Sequence, residues 1–150
     1  MVDNKIDIQS WKLMQIGVVV RDLEKTVKLL EAIGIGPFDT RILPPDRQEW
    51  YRGKPFKASA RISMAQWGDV QLELIEPPEG ESLHKEFLDS KGEGIQHVMF
   101  AVDNFEKDVN ALTKKGAEIV LQAKMPGGRE IAYLDLKVGD ILVELVQKPK

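Results

Sequence analysis

The sequence predicts an α+β fold built from two βαβββ modules in tandem, and three observations carry that reading. Setting Gln15 on His97 brings Gln15-Ile-Gly-Val-Val-Val-Arg-Asp-Leu-Glu-Lys25 onto His97-Val-Met-Phe-Ala-Val-Asp-Asn-Phe-Glu-Lys107, with Gly34 on Gly116. Setting Glu73 on Glu144 brings Gly68-Asp-Val-Gln-Leu-Glu-Leu-Ile75 onto Gly139-Asp-Ile-Leu-Val-Glu-Leu-Val146. The chain has 150 residues, enough for one well-filled core and too few for two independent ones. The two halves must therefore share structure within a single domain, 1–150.

Each element follows from local pattern. Leu13 to Val20 is an apolar run of strand length, and Arg21-Asp22 opens a helix whose Leu23, Val27, Leu30 and Ile33 recur at helical spacing. Gly34-Ile-Gly36-Pro37 stops that helix. A short strand is expected near Phe38 to Leu43, then a loop rich in Pro, Arg and Trp from Pro44 to Pro55, then a strand from Lys57 to Trp67. Gly68-Asp69 supplies a hairpin turn, because both residues tolerate the left-handed backbone that such turns need. Val70 to Ile75 completes module one, about 12–78, at Pro77-Pro78. Glu79 to Lys91 is charged, with Leu83, Phe87 and Leu88 at helical spacing, and is expected to be a linker helix lying on the surface. Module two, about 94–148, repeats the order: strand Ile95 to Val102, helix Phe105 to Lys115, strand Glu118 to Lys124, loop Met125 to Arg129, and strands Ile131 to Lys137 and Ile141 to Val146.

Composition narrows the function. A net charge of -3 with both signs interspersed gives no basic stripe for nucleic acid and no polybasic arm for a membrane. The chain contains 0 cysteines, so any metal would take oxygen and imidazole ligands. The apolar runs are strand-sized and Met1 to Ser10 is polar, so a cytoplasmic protein is expected. Strand edges need cover, which makes a homodimer the expected assembly.

Strand parity then singles out four polar residues. Glu144 shares a face with Leu142 and Val146, Glu73 with Gln71 and Ile75, His97 with Ile95, Met99 and Ala101, and Gln15 with Leu13, Gly17 and Val19. Small Gly17 and Ala101 leave space over that face. An ionised carboxylate in such a setting must be paired, protonated or metal-bound. One imidazole and three oxygens, two of them anionic, suit a divalent metal ion: cobalt, zinc, nickel, manganese or magnesium. Such an ion polarises a carbonyl and stabilises the enolate left when the adjacent carbon loses a proton, and glutamates can move that proton.

The duplicated unit, the openings Met14 to Glu24 and Gly94 to Asp103, and the closings Gln71-Leu-Glu-Leu-Ile-Glu-Pro77 and Ile141-Leu-Val-Glu-Leu-Val-Gln147 resemble the vicinal oxygen chelate superfamily. Within it, Glu-Gly-Ile-Gln-His97 and the Leu-Val-Glu-Leu-Val-Gln147 ending look most like the methylmalonyl-CoA epimerases. The resemblance implies a curled eight-stranded sheet around a metal held by Gln15, Glu73, His97 and Glu144. It further implies an epimerase of an acyl-CoA or other small-molecule thioester, with Glu73 and Glu144 as bases on opposite sides of the α-carbon. Arg47, Arg52, Arg61, Lys124 and Arg129 are candidates for the substrate's phosphates or carboxylate, and Met125 to Arg129 for a lid. Trp50 and Trp67 are expected to pack in the core or at the pocket rim.

Epimerases usually have His at the position of Gln15, whereas Gln, Glu, His, Glu together is seen in certain lactoylglutathione lyases. An isomerase of that type is the alternative, and a non-catalytic drug- or metabolite-binding protein the second. Ring-cleaving iron dioxygenases generally need two histidines, and the other one, His84, is expected on the surface of the linker helix.

Overall fold

The computed structural model describes residues 5–43, 47–57 and 59–149. Parts of three expected segments lie outside these residues: 1–4 of the polar start, 44–46 of the loop after the second strand, and 58 of the strand expected from Lys57.

In chain order the elements are β1 (Lys12–Val19), α1 (Leu23–Ala32), β2 (Asp39–Ile42), β3 (Gln48–Tyr51), β4 (Lys54–Phe56), β5 (Arg61–Trp67), β6 (Val70–Glu76), α2 (Leu83–Lys91), β7 (Gly94–Val102), α3 (Phe105–Lys114), β8 (Glu118–Lys124), β9 (Glu130–Asp135) and β10 (Leu142–Gln147). The strands form one mixed, unclosed sheet in the order β2-β5-β6-β1-β7-β10-β9-β8-β3-β4. Equivalent strands β1 and β7 lie antiparallel at its centre, each flanked by the parallel closing strand of its own module, β6 or β10. The duplication is thus a pseudo-twofold relation between two four-strand halves.

The repeat extends to the helix ends. Asp22 and Asn104 occupy equivalent N-cap positions, their side chains accepting from the amides of Lys25 and Lys107 at 3.0 Å each. Glu76 and Gln147, also equivalent, each reach a first-turn amide, Leu23 at 2.8 Å and Phe105 at 3.0 Å. Both satisfy donors that a helix N-terminus leaves without intrahelical partners.

Helices α1 and α3 cover one face of the sheet. Val20, Leu23, Leu72 and Leu74 form the core under α1, and Val102, Val109, Ala132, Leu134, Val143 and Leu145 the core under α3. The opposite, inner face carries the alternate residues of the same strands.

Two expectations need correction. Among the described residues the expected eight-stranded sheet has ten strands, because the segment expected to be a loop up to Pro55 contains a hairpin, β3 and β4, turned by Arg52 and Gly53 at φ 50° and 79°. β3 leaves its own module and pairs with β8, placing Glu49 beside Ala123 and Tyr51 beside Leu121. The linker helix, in turn, lies on the surface by its charged side only; its other side is wedged into the fold. In α2, Leu83 packs with Val120, Leu121, Ala123 and Tyr133 of module two, while Leu88 packs with Val19, Ala60, Ile62 and Ile75 of module one. It is a wedge that joins both halves on the inner face, and His84 is buried with it.

Candidate functional site

The four inner-face polar residues come from the four central strands, and the structure brings them together. His97 Nε2 lies 3.3 Å from Gln15 Oε1, 3.3 Å from Glu73 Oε2 and 3.2 Å from Glu144 Oε2. All four are buried, His97 completely. The cause is a missing side chain. Gly17 stands in register between Glu73 and His97, and the imidazole folds over it so closely that a Cβ there would fall 2.0 to 2.4 Å from three ring atoms.

Burial alone would lower the His97 pKa, but contacts to Glu144 and Glu73 override it and raise the group to about 9. At neutral pH a proton therefore sits on Nε2. It meets hydrogen-bond geometry toward Gln15 alone, so Glu73 Oε2 and Glu144 Oε2 are ion-paired with the ring at 3.3 and 3.2 Å but buried without a hydrogen-bond partner. Orphaned buried oxygens beside a ring nitrogen and an amide oxygen fit a divalent cation, which takes several lone pairs at once where a proton takes one. As they stand, no group of three or more His, Cys, Asp or Glu among the described residues could hold a metal ion; these donors meet at the ring nitrogen itself, and a cation would have to take the place of its proton. The residues whose donor chemistry suits a metal are Gln15, Glu73, His97 and Glu144.

Further groups surround the cluster. Gln15 Nε2 donates to Gln71 Oε1 at 2.8 Å, which aims its oxygen at His97. Tyr133 meets the His97 ring edge-on, with centroids 5.0 Å apart. Burial, then the charges of Glu144 and Glu73, push its phenol well above the ordinary value, so it stays a neutral donor. Behind His97, Gln96 Oε1 stands 3.1 Å from His97 Nδ1 and 2.9 Å from His84 Nδ1. Burial, the His97 charge and the Arg47 charge drive the His84 pKa down to about 3. The expectation of an exposed His84 is thus overturned.

The β3 crossover adds a carboxylate that the repeat did not single out. Glu49 is buried, and ladder register carries it through Ala123 and Ile131 to the face of Glu144. It pairs with Arg47, whose side chain is 10% exposed and whose Nε is buried without a hydrogen-bond partner. The available signal was slight: the aromatic pair Trp50-Tyr51, a residue type enriched in strands, stands directly before the turn residue Gly53.

The other proposed cations lie apart from the cluster. Arg52 pairs with Glu86 at 2.8 Å and with Glu118 at 3.7 Å, and Arg61 with Glu76 at 3.5 Å. Lys124 and Arg129 are exposed, and the segment from Met125 closes on itself through Met125 N to Arg129 O at 2.7 Å. Trp50 borders a groove against α3, and Trp67 is half-exposed at the end of β5.

A sheet of paired βαβββ units with a buried acidic cluster on its inner face defines the class. Residues 14–133 match the family model of the Glyoxalase/Bleomycin resistance protein/Dioxygenase superfamily, and the chain belongs to that superfamily. It is 30% identical over 89 residues to the uncharacterised protein YqjC of Bacillus subtilis (strain 168), the match covering 57% of this chain and 64% of that relative.

Two solved structures share the fold. Methylmalonyl-CoA epimerase from Mycobacterium tuberculosis is 22% identical, with a TM-score of 0.67 over 92% of this chain and 88% of that one. A variant of Streptomyces coelicolor methylmalonyl-CoA epimerase in complex with 2-nitronate-propionyl-CoA is 24% identical, with a TM-score of 0.69 over 93% and 98%.

Proposed function

We propose that this protein is a metal-dependent epimerase of an acyl-CoA thioester, with methylmalonyl-CoA as substrate. The observation that carries the proposal is the pair of orphaned oxygens, Glu73 Oε2 and Glu144 Oε2, gathered on His97 Nε2. A divalent ion bound there would hold the thioester carbonyl and stabilise negative charge on its oxygen as the α-carbon loses its proton.

The remaining chemistry belongs to the side chains. Inversion needs a proton acceptor on each face of the α-carbon. Glu49, paired with Arg47, takes the α-proton on one side while the C–H electron pair enters the enolate. Glu144 or Glu73, released from the ion and carrying a proton, returns it on the other side, so Glu49 ends protonated and that second carboxyl ends ionised. The reverse reaction exchanges their roles. Arg47 presents its unpartnered Nε to the free carboxylate of the substrate. Arg52 and Arg129 supply cations for the coenzyme's phosphates, while Arg61 and Lys124 stand on the helix-covered face; Tyr133 lends a neutral hydroxyl and a dry wall.

Metal-loaded protein incubated with methylmalonyl-CoA in deuterium oxide should exchange the α-proton, and Glu49→Gln should slow that exchange by about 100- to 10,000-fold. Absence of exchange with metal bound would remove the proposal.

One observation favours a second reading. Gln15 and Glu73, in place of the usual His and frequent Gln of epimerases, match the donor set of certain lactoylglutathione lyases. Turnover of the hemithioacetal of methylglyoxal and glutathione, without α-proton exchange in methylmalonyl-CoA, would establish it instead.

A further inference from the structure

Behind the cluster, on the side away from Glu73 and Glu144, a second set of polar atoms is arranged around a single amide. Gln96 is fully buried on β7, immediately before His97. Its Nε2 faces the carbonyl of Leu83 on α2 at 3.4 Å. A carbonyl oxygen only accepts, so the amide nitrogen must be the end turned toward it, and this settles which end of Gln96 is which. Oε1 then points at two imidazoles at once, 2.9 Å from His84 Nδ1 and 3.1 Å from His97 Nδ1. An amide oxygen also only accepts, so both Nδ1 atoms must carry their hydrogens. For His97 the consequence is that Nε2 is the nitrogen whose lone pair can be given up to a cation, and Nε2 is the atom that faces Gln15, Glu73 and Glu144.

We propose that Gln96 is a positioning residue that fixes His97 as its Nδ1–H tautomer with Nε2 aimed into the ligand cluster, and that His84, brought by helix α2, locks Gln96 in that orientation. This rests on the reading of His97 as a metal ligand and deepens it.

The helix is therefore part of the site as well as of the core. Leu83 and Leu88 seat it on the two modules, its Leu83 carbonyl and His84 ring hold opposite ends of the Gln96 side chain, and Gln96 holds His97. Gly17 completes the restraint from the other side, leaving room for the imidazole only where nothing projects from β1. Outer hydrogen bonds of this kind commonly set ring orientation and ligand basicity, and their loss lowers metal affinity about 10- to 100-fold.

The test combines metal binding with direct reading of the ring protons. Zinc affinity is measured by competition with a chromogenic chelator for the wild type and for Gln96→Leu, Gln96→Glu and His84→Leu. Gln96→Leu should lose about 10- to 100-fold, Gln96→Glu, which keeps an accepting oxygen at the same place, should recover most of the loss, and His84→Leu should lose less than Gln96→Leu. Nitrogen-15 NMR of the zinc-loaded wild type should show the ring hydrogens of His84 and His97 on Nδ1; it needs no variant and decides the matter even where Gln96→Leu fails to fold.

A ring hydrogen on Nε2 of His84, or zinc affinity in folded Gln96→Leu within twofold of wild type, would overturn the proposal while leaving the metal reading intact. Wild-type protein that binds no divalent ion would instead defeat the metal reading, and this inference with it.

Discussion

At the scale of single residues, Gly17 and His97 carry the site. Gly17 has no unusual backbone requirement; what it supplies is the absence of a Cβ, since one would overlap the His97 ring. Gly17→Ala should destabilise the protein by about 1–3 kcal/mol through overpacking. By displacing the imidazole it should also lower turnover on the order of 100-fold. Unfolding curves together with exchange rates check both, and wild-type values for each would contradict the packing described.

His97 also predicts how stability varies with pH. Its metal-free pKa is raised from 6.5 to about 9, so its stabilising contribution is complete below pH 6.5 and is lost as pH rises through 9. The size is on the order of 3 kcal/mol. His84 is lowered from 6.5 to about 3, so its contribution is present above 6.5 and is lost as pH falls toward 3. Thermal melts of metal-free protein should decline on both sides of neutrality, and saturating zinc, which replaces the Nε2 proton, should abolish the alkaline decline. A metal-free melting temperature that stays flat between pH 7 and 9 would contradict the assignment.

At the scale of elements, the informative departures are α2 and the β3–β4 hairpin. The buried stripe of α2 is narrow, Leu83, His84 and Leu88, while Lys85, Glu86 and Asp89 pair at its exposed side. Helical spacing locates such a helix but does not say how deeply it is wedged, because depth depends on partners distant in the chain. Leu88→Ala should cost about 2–5 kcal/mol, the range for truncating a buried leucine, since Leu88 touches module one while the same helix holds module two. Chemical denaturation measures this, and a loss below about 0.5 kcal/mol, the range of surface substitutions, would return α2 to the surface.

The hairpin escaped notice for a related reason. Its strands are three and four residues long, and β3 finds its partner, β8, in the other module. Such a pairing leaves no periodic trace at β3 itself.

At the scale of the whole molecule, the duplication was the legible part. Aligning Gln15 with His97 and Glu73 with Glu144 located the central strands, the faces and the four convergent side chains, because a repeated unit places equivalent positions around a pseudo-twofold axis. The helix caps Asp22 and Asn104 obey the same repeat. What the repeat could not reveal is what breaks the symmetry: Glu49 and Arg47 arriving through a strand exchanged between modules, His84 contributed by a linker helix with no counterpart in the duplicated unit, and Gln96 of β7, whose equivalent in module one is Met14. Of these asymmetric residues, Glu49 and Arg47 are the ones proposed to act on the substrate, and His84 and Gln96 the ones proposed to position His97.

The central claim is that Gln15, Glu73, His97 and Glu144 enclose one divalent cation. The most direct measurement is elemental analysis of purified protein after exposure to zinc or cobalt and removal of excess metal, repeated for His97→Ala and Glu144→Gln. About one ion per chain in the wild type, lost in both variants while they remain folded, is the predicted result; wild-type protein without bound metal, or folded variants that retain it, would contradict the account.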